Sequence, residues 1–432
     1  KAGSISKVFT GIEIMRLQEE GFIDITKPLV EYLPEFTINN LYSDSEPITV
    51  ENILTHRSGL PRGSTLILWD WSCRPLVLDA QMKSLEESYM VYPPGYRYKY
   101  SNIGYNILAR LIERVKELEP PSEITAGAFP YYMQDNFFIP IDMQNSAFGS
   151  SELMYGTAPD TPVAIGYYRN KGKNVPYNQF DIISMASGNV HTTLNDMITF
   201  TKALLNASES SFISKELLDT MYHHQDNAPG DIKDNGLTWF RNTEILGETV
   251  VFHDGTNQGF ISMLAMIPEH DLGMIVMANS DEFENAKSIL SFDILRVMLE
   301  SKTGETIPDP VVSEQIFLSE DILQSFSGKY LMNEEVIEVF VKNGKLKARY
   351  KGFALTLKPI GDNLFTFSNP LGDTIQSRIS FYHGNNFEGP YMILEMGDVF
   401  FCPQYPTFDK TPDSWSDLEG EYTRHARHTS SY

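Results

Sequence analysis

Cysteine is almost missing from this chain: Cys73 and Cys402 are the only two in 432 residues, and they lie far apart in sequence. So sparse a supply excludes a disulfide framework and a thiolate zinc site, and it leaves two free thiols. The nine histidines are scattered, with no His-x-x-x-His or comparable grouping, so no metal and no cofactor are expected. No uninterrupted apolar run reaches the ~18 residues that a membrane span requires. Basic residues are also scarce, 34 Lys and Arg against 57 Asp and Glu, for a formal net charge of −23. Such a surface repels nucleic acid and anionic membranes, and neither is expected as a partner. Internal repeats and low-complexity tracts are absent. No targeting segment is recognisable, which leaves the compartment unassigned, with periplasm and secretion both open.

What is present is 42% hydrophobic and 21% charged, the composition of globular domains, at a length beyond one ordinary core. Ile5, Val8, Phe9, Ile12 and Met15 recur every three or four positions and predict a helix with one buried face, ending near Gly21. Thr49 is placed to cap a short helix that ends near Ser58-Gly59, and Thr193 or Asn195 to cap another over 196–205. Ile103, Ile107, Leu108, Leu111 and Ile112 trace a further helical face, while 117–180 read as long irregular connections. Apolar runs at 249–252, 260–267 and 272–278 read as a strand meander, with 254–259 as the first turn and a closing helix over 286–300. These elements predict an α+β domain over 1–302, an antiparallel sheet flanked by helices. A linker follows over 303–321. The period then drops to two: Ile337, Val339 and Val341, an Asn343-Gly344 turn, then Leu346, Ala348 and Tyr350. That pattern marks a hairpin and predicts a small antiparallel β-barrel over 322–405, followed by a tail over 406–432.

The chemistry concentrates at the start. Ser4 and Lys7 are three residues apart on the first helix and share a face. A serine hydroxyl can lose its proton to an amine whose pKa is lowered by burial. About one such Ser-x-x-Lys is expected by chance in a chain of this size, so partners must be sought. Tyr100 can pass a proton when a neighbouring cation lowers its pKa, and Asn102 can accept from Lys7 while donating to a substrate carbonyl.

Four segments now occur in order: Ser4-Ile-Ser-Lys7, Ile48 to Leu60 with Thr-His-Arg-Ser-Gly inside it, Tyr100-Ser-Asn102, and His253-Asp-Gly255. Together, over roughly residues 1–300, they resemble the penicillin-binding-protein-like serine hydrolases. That superfamily includes class C β-lactamases, D-alanyl-D-alanine carboxypeptidases, D-aminopeptidases and β-lactamase-like esterases. Phe138 to Met143 and Ser187-Gly188 with Thr193 to Asp196 resemble supporting segments. The resemblance implies Ser4 as nucleophile, Lys7 as its proton acceptor and Tyr100 as proton shuttle. It also implies Asn102, His253, Gly255 and Thr256 at the substrate, with the Ser4 and Thr256 N–H groups as the oxyanion hole.

The chain departs from that family pattern at two places. His253 stands where the family's Lys-Thr-Gly motif has its lysine, and a histidine is mostly neutral at pH 7. That variant resembles the aminopeptidase and esterase branches. The nucleophile also comes so early that the sheet is expected to lack its N-terminal strands. The second domain resembles the lipocalin-like domain of some peptidases in the superfamily. The expectation is a serine hydrolase of small amides or D-amino-acid peptides, with a small-molecule or peptide substrate as partner and a homo-oligomer open. A short-chain esterase, a β-lactamase and a non-catalytic scaffold on a degenerate hydrolase fold are the alternatives.

Overall fold

The structure is a computed structural model that describes residues 1–42, 44–63, 69–70, 78–119, 127–149, 163–178, 181–182, 184–207, 212–223, 225, 234–243, 245–284, 286–307, 315–332, 335–350, 353–367, 377–383, 390–396 and 398–404. Cys73 and the expected tail over 406–432 lie outside the described residues. The chain forms two compact units, Lys1–Pro310 and Val311–Tyr432.

In the first unit, helices α1 (Ser6–Glu19), α2 (Val50–Leu54), α3 (Asn102–Val115), α4 (Met185–Gly188), α5 (Leu194–Leu205) and α6 (Lys287–Thr303) surround an antiparallel sheet. The sheet is β1 (Phe240–Asn242), β2 (Val250–Asn257), β3 (Phe260–Ile267) and β4 (Leu272–Ala278), hydrogen-bonded in that order. Alternation along β2 and β3 feeds two cores. Val251, Leu264 and Met266 join the cluster built on α1, whereas Val250, Met263, Ala265 and Ile267 pack with Phe292, Leu295 and Leu299 of α6. A strand covered on both faces has no polar side to show, which is why β3 reads as a continuous apolar run.

The helix α1 is buried on nearly all sides over its first three turns, not on the one face expected. Its polar groups are satisfied locally. Thr10 Oγ1 donates to the Ala186 carbonyl at 2.9 Å, and Glu13 accepts from Arg16 at 2.6 Å and from the Tyr132 hydroxyl at 2.5 Å. Such pairing is what allows polar side chains to sit in a core.

The caps are as the sequence suggests. Thr49 and Asn52 form a reciprocal capping box at the start of α2, and Thr193 caps α5 by accepting from Asp196 N at 3.1 Å. The helix α2 stops at Leu54 instead of near Ser58, because His56 adopts φ +58°, a left-handed conformation no helix interior accommodates. The expected turn over 254–259 is also corrected. Strand β2 continues to Asn257, pairing Asp254 with Met263, Gly255 with Ser262 and Asn257 with Phe260. Within the stretch read as irregular, Phe129–Met133 is helical and Tyr167–Asn170 pairs with Lys173–Pro176 as a hairpin.

The second unit holds two antiparallel sheets. One takes its four strands in order from Gly328–Met332, Glu335–Lys342, Lys345–Tyr350 and Phe353–Thr356. The other takes five from Lys358–Pro359, Leu364–Phe367, Ser377–Tyr382, Tyr391–Met396 and Asp398–Pro403. Phe326, Tyr330, Ile337, Leu346, Phe365, Phe381 and Cys402 share their core, and burial pushes the Cys402 thiol up to about 12. The expected barrel is corrected: among the described residues neither sheet closes. An isolated bridge joins Tyr330 of the first strand to Gln404, the residue just past the last strand, and no ladder closes that seam among the described residues. Alternation fixes which face of a strand is buried, but closure needs a ladder at every seam.

Candidate active site

Ser4 occupies the 3₁₀ turn Gly3–Ile5 that leads directly into α1. Gly3 has φ +55°, and a Cβ there would lie 2.6 Å from the backbone nitrogen of Thr256. Gly255 meets it from the strand side, since its own Cβ would fall 2.0 Å from the Ala2 carbonyl oxygen. Two glycines therefore let the turn that carries Ser4 rest directly on β2. Ala2 N–H donates to the Val190 carbonyl at 2.8 Å, and Ser262 Oγ donates to the Ala2 carbonyl at 2.8 Å, so the turn is held from both sides.

One helical turn later, the Lys7 side chain is fully buried. Its Nζ lies 3.1 Å from Ser4 Oγ and donates to the Ser187 carbonyl at 2.6 Å. Burial, reinforced by the Arg62 guanidinium, holds the amine well below the usual lysine range, while Asp254 acts in the opposite direction. A neutral amine in contact with a hydroxyl can take its proton. Nζ also sits 4.7 Å from the centre of the Tyr100 ring and 5.6 Å from that of Tyr105. Burial pushes the Tyr105 phenol upward; its hydroxyl is bonded to the Leu54 carbonyl at 3.1 Å and to Thr238 Oγ1 at 2.9 Å, making it a wall of the site.

Tyr100 is half-buried, with the Arg62 guanidinium 5.0 Å from its ring centre. Asn102 begins α3, and its backbone N–H donates to the Arg62 carbonyl at 2.7 Å. Between them Ser101 caps the helix: its Oγ accepts from Gly104 N at 3.1 Å and donates to the Pro61 carbonyl at 2.8 Å. Lys7 thus finds its acceptor in the Ser187 carbonyl, where the sequence had suggested Asn102. The partner is 180 residues away. Ser187-Gly188 was legible as a supporting segment, but no local pattern marks a carbonyl as an acceptor.

On β2 the side chains alternate. His253 is fully buried against Phe240, ring centres 4.9 Å apart, and its Nδ1–H donates to the Asp254 carbonyl at 2.7 Å. Asp254 and Thr256 project from the other face and meet Lys287 at the start of α6. Lys287 Nζ donates to Asp254 at 2.5 Å and to Glu284 at 2.6 Å, and Thr256 Oγ1 donates to Glu284 at 2.9 Å. Burial alone would lower the Lys287 amine, but these two carboxylates raise it beyond its usual range. Neither Lys287 nor Glu284 carries a signal in the sequence. Strand β1 pairs with β2 only at Val250, Val251 and Phe252, so among the described residues no strand covers the edge from His253 to Asn257. The structure therefore brings Ser4, Lys7 and Tyr100 together, sets the Gly255–Thr256 backbone against the turn that carries Ser4, and turns the His253 ring into the interior.

The fold and this arrangement place the chain among known proteins. It belongs to the beta-lactamase family, whose sequence model matches residues 1–295. It is 22% identical over 330 residues to Beta-lactamase-like protein 4 of Dictyostelium discoideum, covering 71% of this chain and 56% of that protein. The chain spans about half the length of the curated relatives it matches. The octameric penicillin-binding protein homologue of Pyrococcus abyssi shares the fold with a TM-score of 0.57 at 23% identity, over 93% of this chain and 87% of its own. The D-amino acid amidase of Ochrobactrum anthropi SV3 does so with a TM-score of 0.56 at 18% identity, over 70% and 84%.

Proposed function

We propose that this protein is a serine hydrolase that works through an acyl-enzyme on small amides or peptides, with D-configured residues favoured. The observation that carries this reading is the buried, depressed amine of Lys7 at 3.1 Å from Ser4 Oγ. In the proposed mechanism Ser4 Oγ attacks the carbonyl carbon and its proton passes to Lys7 Nζ. The oxyanion so formed accepts from the N–H groups of Ser4 and Thr256, each worth about 3 kcal/mol at such a site. Collapse breaks the C–N bond, and the proton reaches the departing amine through Tyr100. Water then attacks the ester carbonyl, the acid leaves and Ser4 recovers its proton. Asn102 orients the substrate amide, and the open edge of β2 beside Gly255 receives the substrate backbone.

Substrate class rests on the third motif. A β-lactam or a peptide with a free carboxylate calls for a fixed cation, and His253 is buried in its place. This ranks amides first, short acyl esters second and β-lactams third. The amidase among the fold's neighbours makes D-amino-acid amides the first compounds to try. A D-alanine p-nitroanilide, a p-nitrophenyl butyrate and a chromogenic cephalosporin, assayed side by side, test the order. The expected result is turnover of the anilide and the ester with the cephalosporin slowest. Absence of turnover on all three would leave the non-catalytic scaffold as the better reading, and Ser4→Ala would then preserve the biological role.

A further inference from the structure

We propose that His56 is a positioning residue for Tyr100, holding the phenol where it can deliver a proton to the leaving group. The inference rests on the acyl-transfer reading of Ser4, Lys7 and Tyr100. Three features of His56 converge on the same neighbour. Its carbonyl accepts from the N–H of Lys99 at 2.7 Å, and its ring Nδ1 accepts from the N–H of Ser101 at 3.1 Å. One residue therefore grips the chain immediately before and immediately after Tyr100. Its ring also lies against the Tyr100 ring, centres 4.3 Å apart. Because Nδ1 accepts from an amide, it carries the lone pair and the ring proton sits on Nε2.

The backbone supports the same reading. His56 is 2% exposed and adopts φ +58°, a region non-glycine residues enter at a cost of about 1 kcal/mol or more. Glycine would remove that cost and keep the carbonyl that accepts from Lys99, but it could offer neither the Nδ1 acceptor nor the ring. The His56 ring is itself fixed, with Tyr105 at 5.2 Å and Tyr98 at 5.7 Å between ring centres.

The test exploits the leaving group. An amine must be protonated to depart, whereas p-nitrophenolate leaves unaided, so a misplaced Tyr100 slows amides selectively. His56→Gly suits the backbone but deletes the Nδ1 acceptor and the ring. His56→Asn tolerates the left-handed backbone and retains an acceptor near the Nδ1 position. Hydrolysis of the D-alanine p-nitroanilide and of p-nitrophenyl butyrate is measured for both variants, with Tyr100→Phe as reference. His56→Gly is expected to lose about 30-fold or more in kcat/KM on the anilide and less than about threefold on the ester, with His56→Asn recovering most of the anilide rate. Tyr100→Phe should show the same selective loss. Equal losses on both substrates, or none, in His56→Gly while Tyr100→Phe remains selective would overturn the role of His56 and leave the function standing. If Tyr100→Phe is itself unselective, the shuttle assignment fails and the inference falls with it. His56→Ala, which removes the same groups, is read in the same way if His56→Gly is too unstable to purify.

Discussion

Lys7 is an amine with no access to solvent, flanked by a hydroxyl, a carbonyl and two phenol rings, with one nearby cation opposed by one nearby anion. Replacing it with alanine removes the proposed base and is expected to slow acylation by about 10²- to 10⁴-fold, read in a single-turnover assay. The proposed mechanism needs the neutral amine, so kcat/KM is expected to be flat above the depressed pKa of Lys7 and to fall as the pH drops through it. Arg62 lowers that pKa, so Arg62→Gln should raise it and move the acid limb to higher pH. Asp254 raises it, so Asp254→Asn should move the acid limb to lower pH. Opposite displacements in the two pH profiles are the outcome expected from electrostatic control; displacements of the same sign would refute it. At this scale the sequence was informative about groups within one motif. Ser4 and Lys7 are one helical turn apart, and Tyr100 and Asn102 flank a helix cap. It was silent on Arg62, Lys287 and the Ser187 carbonyl, which approach the site only through tertiary packing, and on the grip of His56 around Tyr100.

Strand β2 and the turn before α1 act as one element, because backbone meets backbone with no side chain between. Gly255→Ala would place a methyl group 2.0 Å from the Ala2 carbonyl oxygen and 2.5 Å from Ser262 Oγ. The strand or the turn that carries Ser4 must then shift. The expected cost is about 1–3 kcal/mol of stability, together with a fall in kcat/KM of more than about tenfold. Gly21→Ala is the control. It has φ +78° but open space around it, so it should cost about 1 kcal/mol and leave activity unchanged. Thermal melts and initial rates on both variants separate crowding at the site from backbone strain. The same glycine explains why 254–259 reads as a turn in the sequence. Gly255 looks like a turn residue, yet it serves the close approach of two backbones inside a ladder. The closing strands and the caps at Thr49 and Thr193 were legible because apolar runs and side-chain caps are local signals.

Two compact units with separate cores predict that the molecule does not unfold as one cooperative block. Calorimetry should resolve two transitions, and an active-site ligand should raise only the one belonging to Lys1–Pro310. The alternation beyond residue 327 announced strands, but the closed barrel read from it does not form among the described residues, since the pattern along a strand says nothing about what pairs with the outermost one. The central claim is most directly tested on the intact chain with a fluorophosphonate probe and mass spectrometry. A single covalent adduct on the peptide carrying Ser4, lost in Ser4→Ala and strongly slowed in Lys7→Ala, is the predicted result. A native chain that takes no label, or is labelled at another residue, would contradict it.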